Sequence, residues 1–207
     1  MFYLVKTPWW LKKIYPGLVW QMPAEEKTIY LSFDDGPHPE ITPFVLEQLK
    51  RYDARATFFC IGKNVNEYPQ IYRQILMEGH RVGNHTQNHL NGWKVADDRY
   101  IANVLEAAKY IDSDLFRPPY GRIGALQSRV LREAPYNYKI VMWEVLSGDF
   151  DLSLNAQQCA ENVTRRARAG SIVVFHDSEK AFDRLKDALP LVLEYFAGKG
   201  YKFAAIQ

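Results

Sequence analysis

Two short runs, Ala56–Ile61 (ATFFCI) and Ser171–His176 (SIVVFH), constrain this chain more than any other feature. Both are apolar at nearly every position, rich in β-branched and aromatic residues, and too short for a typical helix. Strands read this way when both faces are covered, as in a parallel sheet flanked by helices. The flanking segments agree. Thr28–Phe33 reads as a strand and Thr42–Tyr52 as a helix, with Thr42 as N-cap and Pro43 at the first helical position. Pro69–Glu78 reads as a helix stopping at Gly79, and His80–Asn84 as a short strand. Helix Asp97–Ile111, strand Leu115–Arg117, helix Ile123–Glu133 and strand Lys139–Glu144 follow. After them come helix Asn155–Ala169, helix Arg184–Phe196 and strand Tyr201–Ala205. Alternation of this kind, with no linker or repeat, predicts βα units on a parallel sheet in one domain. About seven such units close naturally into a barrel. An open doubly wound sheet is the alternative.

The 207 residues divide into an N-terminal segment, 1–26, and a domain, 27–207. With 26 basic and 24 acidic residues, the net charge of +2 offers no electrostatic case for nucleic acid. Cys60 and Cys159 are far apart and in no metal-type spacing, so they are expected as inert core thiols. No apolar run is long enough to cross a bilayer. The opening MFYLVKTPWWLKKIYPGLVW is broken by Lys6, Pro8, Lys12 and Lys13 and has no small-residue cleavage site, so it does not read as a signal peptide. A cytoplasmic or membrane-peripheral location is expected rather than secretion. Trp9, Trp10, Leu11, Ile14 and Tyr15 with Lys12 and Lys13 would suit a bilayer interface. Packing of these aromatics onto the domain is the simpler expectation. Nothing in the sequence sets an oligomeric state.

Polar residues fall where strands end. Asp34 and Asp35 follow the first strand, His85 the third; Arg117 ends the fourth, Asp149 lies soon after the fifth, and His176 ends the sixth. The C-terminal ends of barrel strands share one face, where active sites form. Asp34 and Asp35 lie in SFDDGPHP, which is also good turn chemistry. Two carboxylates at the end of a buried strand need a cation or hydrogen bonds. His85 and His89, in GNHTQNHL, are spaced so that one helical turn would bring both imidazoles to one metal ion; two structural histidines are the plainer alternative. With an aspartate they would make a two-nitrogen, one-oxygen set with positions left open for water and substrate. RPPYG, 117–121, is a stiff loop in which Arg117 could pair with a carboxylate and the Tyr120 N–H face a pocket. His176 at a strand end is structural or, in this architecture, functional.

Together these residues make the chain resemble the polysaccharide deacetylases of carbohydrate esterase family four, from about Lys27 to the C-terminus. The carriers are FDDGP (33–37), HTQNH (85–89), RPPYG (117–121), the Asp149 region and VFH (174–176), in the family's order. The resemblance implies a distorted (β/α)7 barrel and a divalent metal, zinc above all, with cobalt or nickel as variants. It implies Asp34 as general base, Asp35, His85 and His89 as metal ligands, Arg117 orienting Asp34, and His176 as general acid positioned by Asp149. The Tyr120 backbone N–H, on the turn that Pro119 stiffens, would hold the oxyanion at the substrate. The fourth motif departs from the family. In WEVLSGDF, Leu146 stands where the first aspartate is usual and Phe150 replaces a tryptophan, which bears on the groove wall.

The implied activity is hydrolysis of N-acetyl groups, or O-acetyl groups with the same machinery, on carbohydrates such as chitooligosaccharide, peptidoglycan or acetylated xylan. A soluble or lipid-linked amino sugar is the alternative substrate. Two other classes share parts of the pattern. A non-haem iron oxygenase also uses two histidines and a carboxylate. A non-catalytic sugar-binding protein on this fold would lack the base, the acid or a ligand. Trp93, Tyr120 and Trp143 are candidates for stacking on sugar rings, and the loops Asn91–Ala96 and Ser178–Phe182 are expected to shape the groove.

Overall fold

Every strand pair in the sheet is parallel, as runs covered on both faces require. The computed structural model describes residues 3–207. β1 (Thr28–Asp34) lies at the centre, between β2 (Thr57–Cys60) and β7 (Ile172–His176). The order β5-β4-β3-β2-β1-β7-β6 adds β3 (Arg81–Asn84), β4 (Leu115–Phe116), β5 (Lys139–Ile140) and β6 (Val145–Leu146), and β8 (Lys202–Phe203) pairs with the start of β1. The sheet curls into a half-barrel within a single domain. Phe33, Phe58 and Phe175, one from each central strand, stack in its core. Cys60 and Cys159 are free, buried thiols.

Helices cover the sheet: α2 (Ile41–Lys50), α3 (Gly62–Glu67), α4 (Pro69–Met77), α5 (Asp97–Ala107), α6 (Ala125–Arg132), α7 (Ala156–Thr164) and α8 (Glu179–Gly198). α4 opens on Pro69 and stops before Gly79, whose φ of 80° a side chain would resist. Three sequence expectations change. Thr42 is not an N-cap: Glu40 holds that position, and the Thr42 hydroxyl accepts from His38 N (2.8 Å) and donates to Asp177 (2.5 Å). The single strand expected over Lys139–Glu144 is two short ones, because β5 pairs with β4 whereas β6 pairs with β7. Ser178–Phe182 is not a loop; α8 begins at Glu179, an acid in the first turn that favours the helix dipole.

The N-terminal segment is joined to the domain by backbone, through isolated bridges Lys6–Val145, Val19–Val141 and Gln21–Ser171. Trp20 is buried. The short α1 (Trp9–Ile14) buries no residue completely: Trp9 is 69% exposed, Ile14 59%, and Trp10 and Tyr15 about half. The aromatics expected to pack onto the domain therefore largely face outward, because the backbone bridges carry the attachment.

Candidate active site

Parallel pairing brings the ends of β1, β3, β4 and β7 to one edge. Asp34 is the register partner of His176 across β1–β7, Cys60 of Asn84 across β2–β3, and Asn84 of Phe116 across β3–β4. The residues that follow, Asp35, His85 and Arg117, emerge together. Asp35, His85 and His89 each offer one donor atom, and these atoms lie within 4.8 Å of one another. Asp35 Oδ1 is 3.1 Å from His89 Nε2 and 3.7 Å from His85 Nε2. The His85 Nδ1–H donates to the Arg117 carbonyl at 2.7 Å, which leaves Nε2 as a lone pair. Burial drives the His85 pKa down to about 4, against the pull of Asp34 and Asp35, so the ring is neutral. Burial acts to raise the Asp35 carboxyl, but the imidazoles around it, His89 nearest at 3.1 Å, outweigh it and hold it below the usual range. Asp35 Oδ1 is buried without a hydrogen-bond donor. An anionic oxygen and a neutral imidazole lone pair facing each other need a cation, and two nitrogens with one oxygen fit a divalent ion with open positions.

The backbone here is unusual. Of six non-glycine residues with positive φ among the described residues, four belong to the site: Asp35 (82°), Thr86 (65°), His89 (54°) and Tyr120 (60°). His85 and His89 thus do not share a helical turn. A tight bend with two left-handed residues brings their rings to 5.1 Å. The bend is tied down by Asn84 Oδ1, which accepts from Thr86 N at 2.8 Å, and by Thr86 Oγ1, which accepts from Leu90 N at 3.2 Å. Tyr120 OH lies 3.1 Å from His89 Nδ1. Among the described residues the Tyr120 backbone N–H has no acceptor, and the residue lines the cleft.

Arg117 is buried completely. It donates to Asp34 Oδ1 (2.6 Å), Ser32 Oγ (2.8 Å) and the carbonyls of Val141 and Met142 (3.2 and 3.0 Å), and it stacks 4.0 Å from the Phe59 ring. Asp34 is thereby fixed by a guanidinium that has nowhere else to go. His176 is held from the other side. Asp149 accepts both its backbone N–H (2.7 Å) and Nδ1–H (2.8 Å), and Phe150 packs edge-on against the ring. Burial would lower the His176 pKa, but the Asp149 carboxylate, then Asp35 and Asp34, push it up to about 9. The ring is an imidazolium at neutral pH. Asp34, Asp35, His85, His89, Tyr120 and His176 open into one cleft of about 1060 Å³, lined also by Leu146, Trp93 and Trp143, while Arg117 and Asp149 hold them from beneath.

A family model described as polysaccharide deacetylase matches residues 21–139. The chain is 34% identical over 194 residues to a peptidoglycan-N-acetylglucosamine deacetylase of Bacillus cereus, with 91% of each chain covered. It belongs to the polysaccharide deacetylase family. Another relative of this deacetylase is a chitooligosaccharide deacetylase of Azorhizobium caulinodans, 33% identical over 168 residues (78% of this chain, 79% of the other). Among solved structures, a peptidoglycan N-acetylglucosamine deacetylase in complex with 4-naphthalen-1-yl-N-oxidanyl-benzamide matches with a TM-score of 0.87 at 30% identity, over 97% of this chain and 95% of that one.

All nine residues singled out in the sequence lie at this edge of the deacetylase, with Pro119 buried beneath the Tyr120 turn. Three others were not anticipated. Ser32 shares Arg117 with Asp34. Arg184 Nε donates to the Asp149 carbonyl at 2.6 Å. Asp177 accepts from Gly36 N at 3.0 Å and from Thr42, clamping the turn that carries Asp35. A buried acid directly after a strand-end histidine was the available signal for Asp177.

Proposed function

We propose that this polysaccharide deacetylase hydrolyses the N-acetyl group of an amino sugar in an oligo- or polysaccharide such as chitooligosaccharide or peptidoglycan, releasing acetate and a free amine. One observation carries the reading: a neutral His85 and an unpartnered Asp35 oxygen make a cation site, flanked by register partners held in opposite protonation roles. Asp35, His85 and His89 would hold a divalent ion, zinc being the best match to two imidazoles and a carboxylate, with cobalt or nickel as substitutes. The chemistry supplied by such an ion is Lewis acidity, which polarises an acyl oxygen and acidifies water. Asp34, aligned by Arg117, takes the proton of the attacking water. The Tyr120 N–H donates to the oxyanion that forms on the acetyl carbonyl. His176 gives its proton to the departing amine while Asp149 steadies the ring. The same steps cleave an O-acetyl ester. An oxygenase would have no use for this base and acid, and a mere lectin would have no reason to keep both.

The test is acetate release from chitotetraose and from peptidoglycan glycan chains by zinc-loaded protein and by the chelator-stripped protein. Release that needs the metal supports the reading; no release from any N-acetylated sugar overturns it. The exposed Trp9, Trp10, Ile14 and Tyr15, beside Lys13, also favour peripheral contact with an anionic bilayer surface. Cosedimentation with phosphatidylglycerol vesicles, lost in the Trp9→Ser/Trp10→Ser variant, checks this.

A further inference from the structure

The cleft continues well beyond the catalytic groups. At about 1060 Å³ it matches or exceeds the usual volume of a small-molecule pocket, so several sugar rings fit it. Its outer arm runs between the N-terminal segment and α6, and one wall of that arm carries Arg122, Arg129 and Arg132. The spacing explains the wall. Ala125, Ser128, Arg129 and Arg132 recur at helical period on the face of α6 that lines the cleft, while Gln127 and Leu131 on the other face are buried. The guanidinium of Arg122 stacks 4.1 Å from the Trp93 ring, and Trp93 is fixed by its Nε1–H bond to the Ile123 carbonyl (2.9 Å). Arg132 lies over Gly17; a methyl built on that glycine would sit 2.4 Å from both terminal nitrogens, so the missing side chain makes room for the guanidinium.

Among the described residues, none of these three arginines has a carboxylate within 4 Å, and all three line the cleft. Glu133 is the acid at this end of the cleft and forms no ion pair with them. The remaining acids that line the cleft, Asp34 and Asp35, are at the catalytic end. The opposite wall is apolar, with Leu11, Tyr15 and Leu18. Three unpaired guanidiniums along one wall of a substrate cleft are a place for negative charge.

We propose that the outer arm is an anion subsite, which holds a carboxylate or phosphate carried on the substrate outside the sugar that loses its acetyl group. The inference rests on the deacetylase reading and narrows its substrate class to acidic N-acetylated glycans. Two sources share this chemistry: the lactyl carboxylate of muramic acid within a glycan chain, and a phosphate ester at the chain end.

The experiment compares two pairs of substrates with zinc-loaded enzyme: a tetrasaccharide of alternating N-acetylglucosamine and N-acetylmuramic acid against its carboxyl methyl ester, and chitotetraose 1-phosphate against plain chitotetraose. The wild type is expected to favour an acidic substrate over its neutral counterpart in kcat/KM by about tenfold, a ratio that shrinks with added salt. The Arg129→Gln/Arg132→Gln variant should bring that ratio close to one. Preference for the free acid assigns the subsite to a carboxylate in the chain, and preference for the phosphate assigns it to a chain-end phosphate. Turnover of neutral chitotetraose with no preference for either acid, or a preference that survives in the double variant, overturns the subsite and leaves the deacetylase reading standing. Absence of turnover on every substrate overturns the deacetylase reading itself.

Discussion

His85 directly follows β3 and His176 ends β7; both are buried or nearly so and have carboxylates nearby, yet they take opposite protonation states. The difference lies in what meets Nδ1. For His85 it is the neutral Arg117 carbonyl, and burial wins; for His176 it is the Asp149 carboxylate, and the ion pair wins. A neutral ring can offer a lone pair to a cation, and a charged ring can offer a proton to an amine. One sheet edge thus supports two chemistries with one residue type, selected by the partner on the far nitrogen.

The largest effects should come from removing either chemistry outright. Asp34→Asn and His176→Ala are each expected to lower kcat by about 10²- to 10⁴-fold while zinc content is retained. His85→Ala should instead lose the zinc, measured by metal analysis after gel filtration. Loss of zinc from His176→Ala, or full zinc in His85→Ala, would show that the two roles had been assigned to the wrong rings.

Exchanging the partner tests the comparison more finely. Asp149→Asn keeps one acceptor for His176 but removes the charge that raises it, so kcat should fall about 10²-fold and the alkaline limb of the pH profile should move toward acid. The stability linkage has a definite sign. His176 is raised from 6.5 to about 9, so its contribution is complete below about 6.5 and is lost as pH climbs through about 9. His85 is lowered to about 4, so in metal-free protein its contribution is present above about 6.5 and is lost as pH falls through about 4. Denaturant titrations of the metal-free wild type and of Asp149→Asn should separate the two, since only the alkaline loss should disappear in the variant.

Much of this was legible because strand-end positions and donor spacing are properties of the chain. Doubly covered runs announce β2 and β7, and the interval from His85 to His89 is short enough that any tight bend brings the rings together. The kind of bend was not legible. A spacing of four suggests a helical turn, but left-handed Thr86 and His89 depend on Asn84 and on Thr86's own hydroxyl accepting backbone N–H groups. The division of Lys139–Glu144 was hidden too, because it follows from which neighbour each half pairs with, and that is decided by residues far along the chain. For the aromatics of α1 the sequence allows both an outward face and packing onto the domain, because a backbone bridge leaves no mark in composition.

A smaller effect belongs to Tyr120, whose backbone and side chain face different partners. Tyr120→Phe leaves the peptide N–H in place and removes the hydroxyl beside His89 Nδ1. Zinc affinity should drop about tenfold, read by competition with a chromophoric chelator, with kcat at saturating zinc little changed. A large fall in kcat at full occupancy would mean that the hydroxyl itself meets the substrate.

An effect on stability and not on turnover should be at Asp177, a third kind of buried group on the same edge. Burial raises its pKa to about 8, against the hydrogen bonds from Thr42 and Gly36. Its folded pKa stands above the ordinary 3.8, so the proton is held more tightly in the native state. Its contribution to stability is therefore greatest below about pH 4 and declines as pH rises toward about 8, with a slope of at most about 1.4 kcal/mol per pH unit. Asp177→Asn keeps an acceptor for Gly36 N and cannot ionise, and the Thr42 hydroxyl, which donates to Asp177, would turn to accept from the new amide. Relative to wild type, the variant should gain stability between pH 5 and pH 8 in urea titrations. A difference between the two proteins that stays flat over that range would mean that Asp177 is ionised throughout, and that the turn carrying Asp35 is clamped by a charge rather than by a neutral acid.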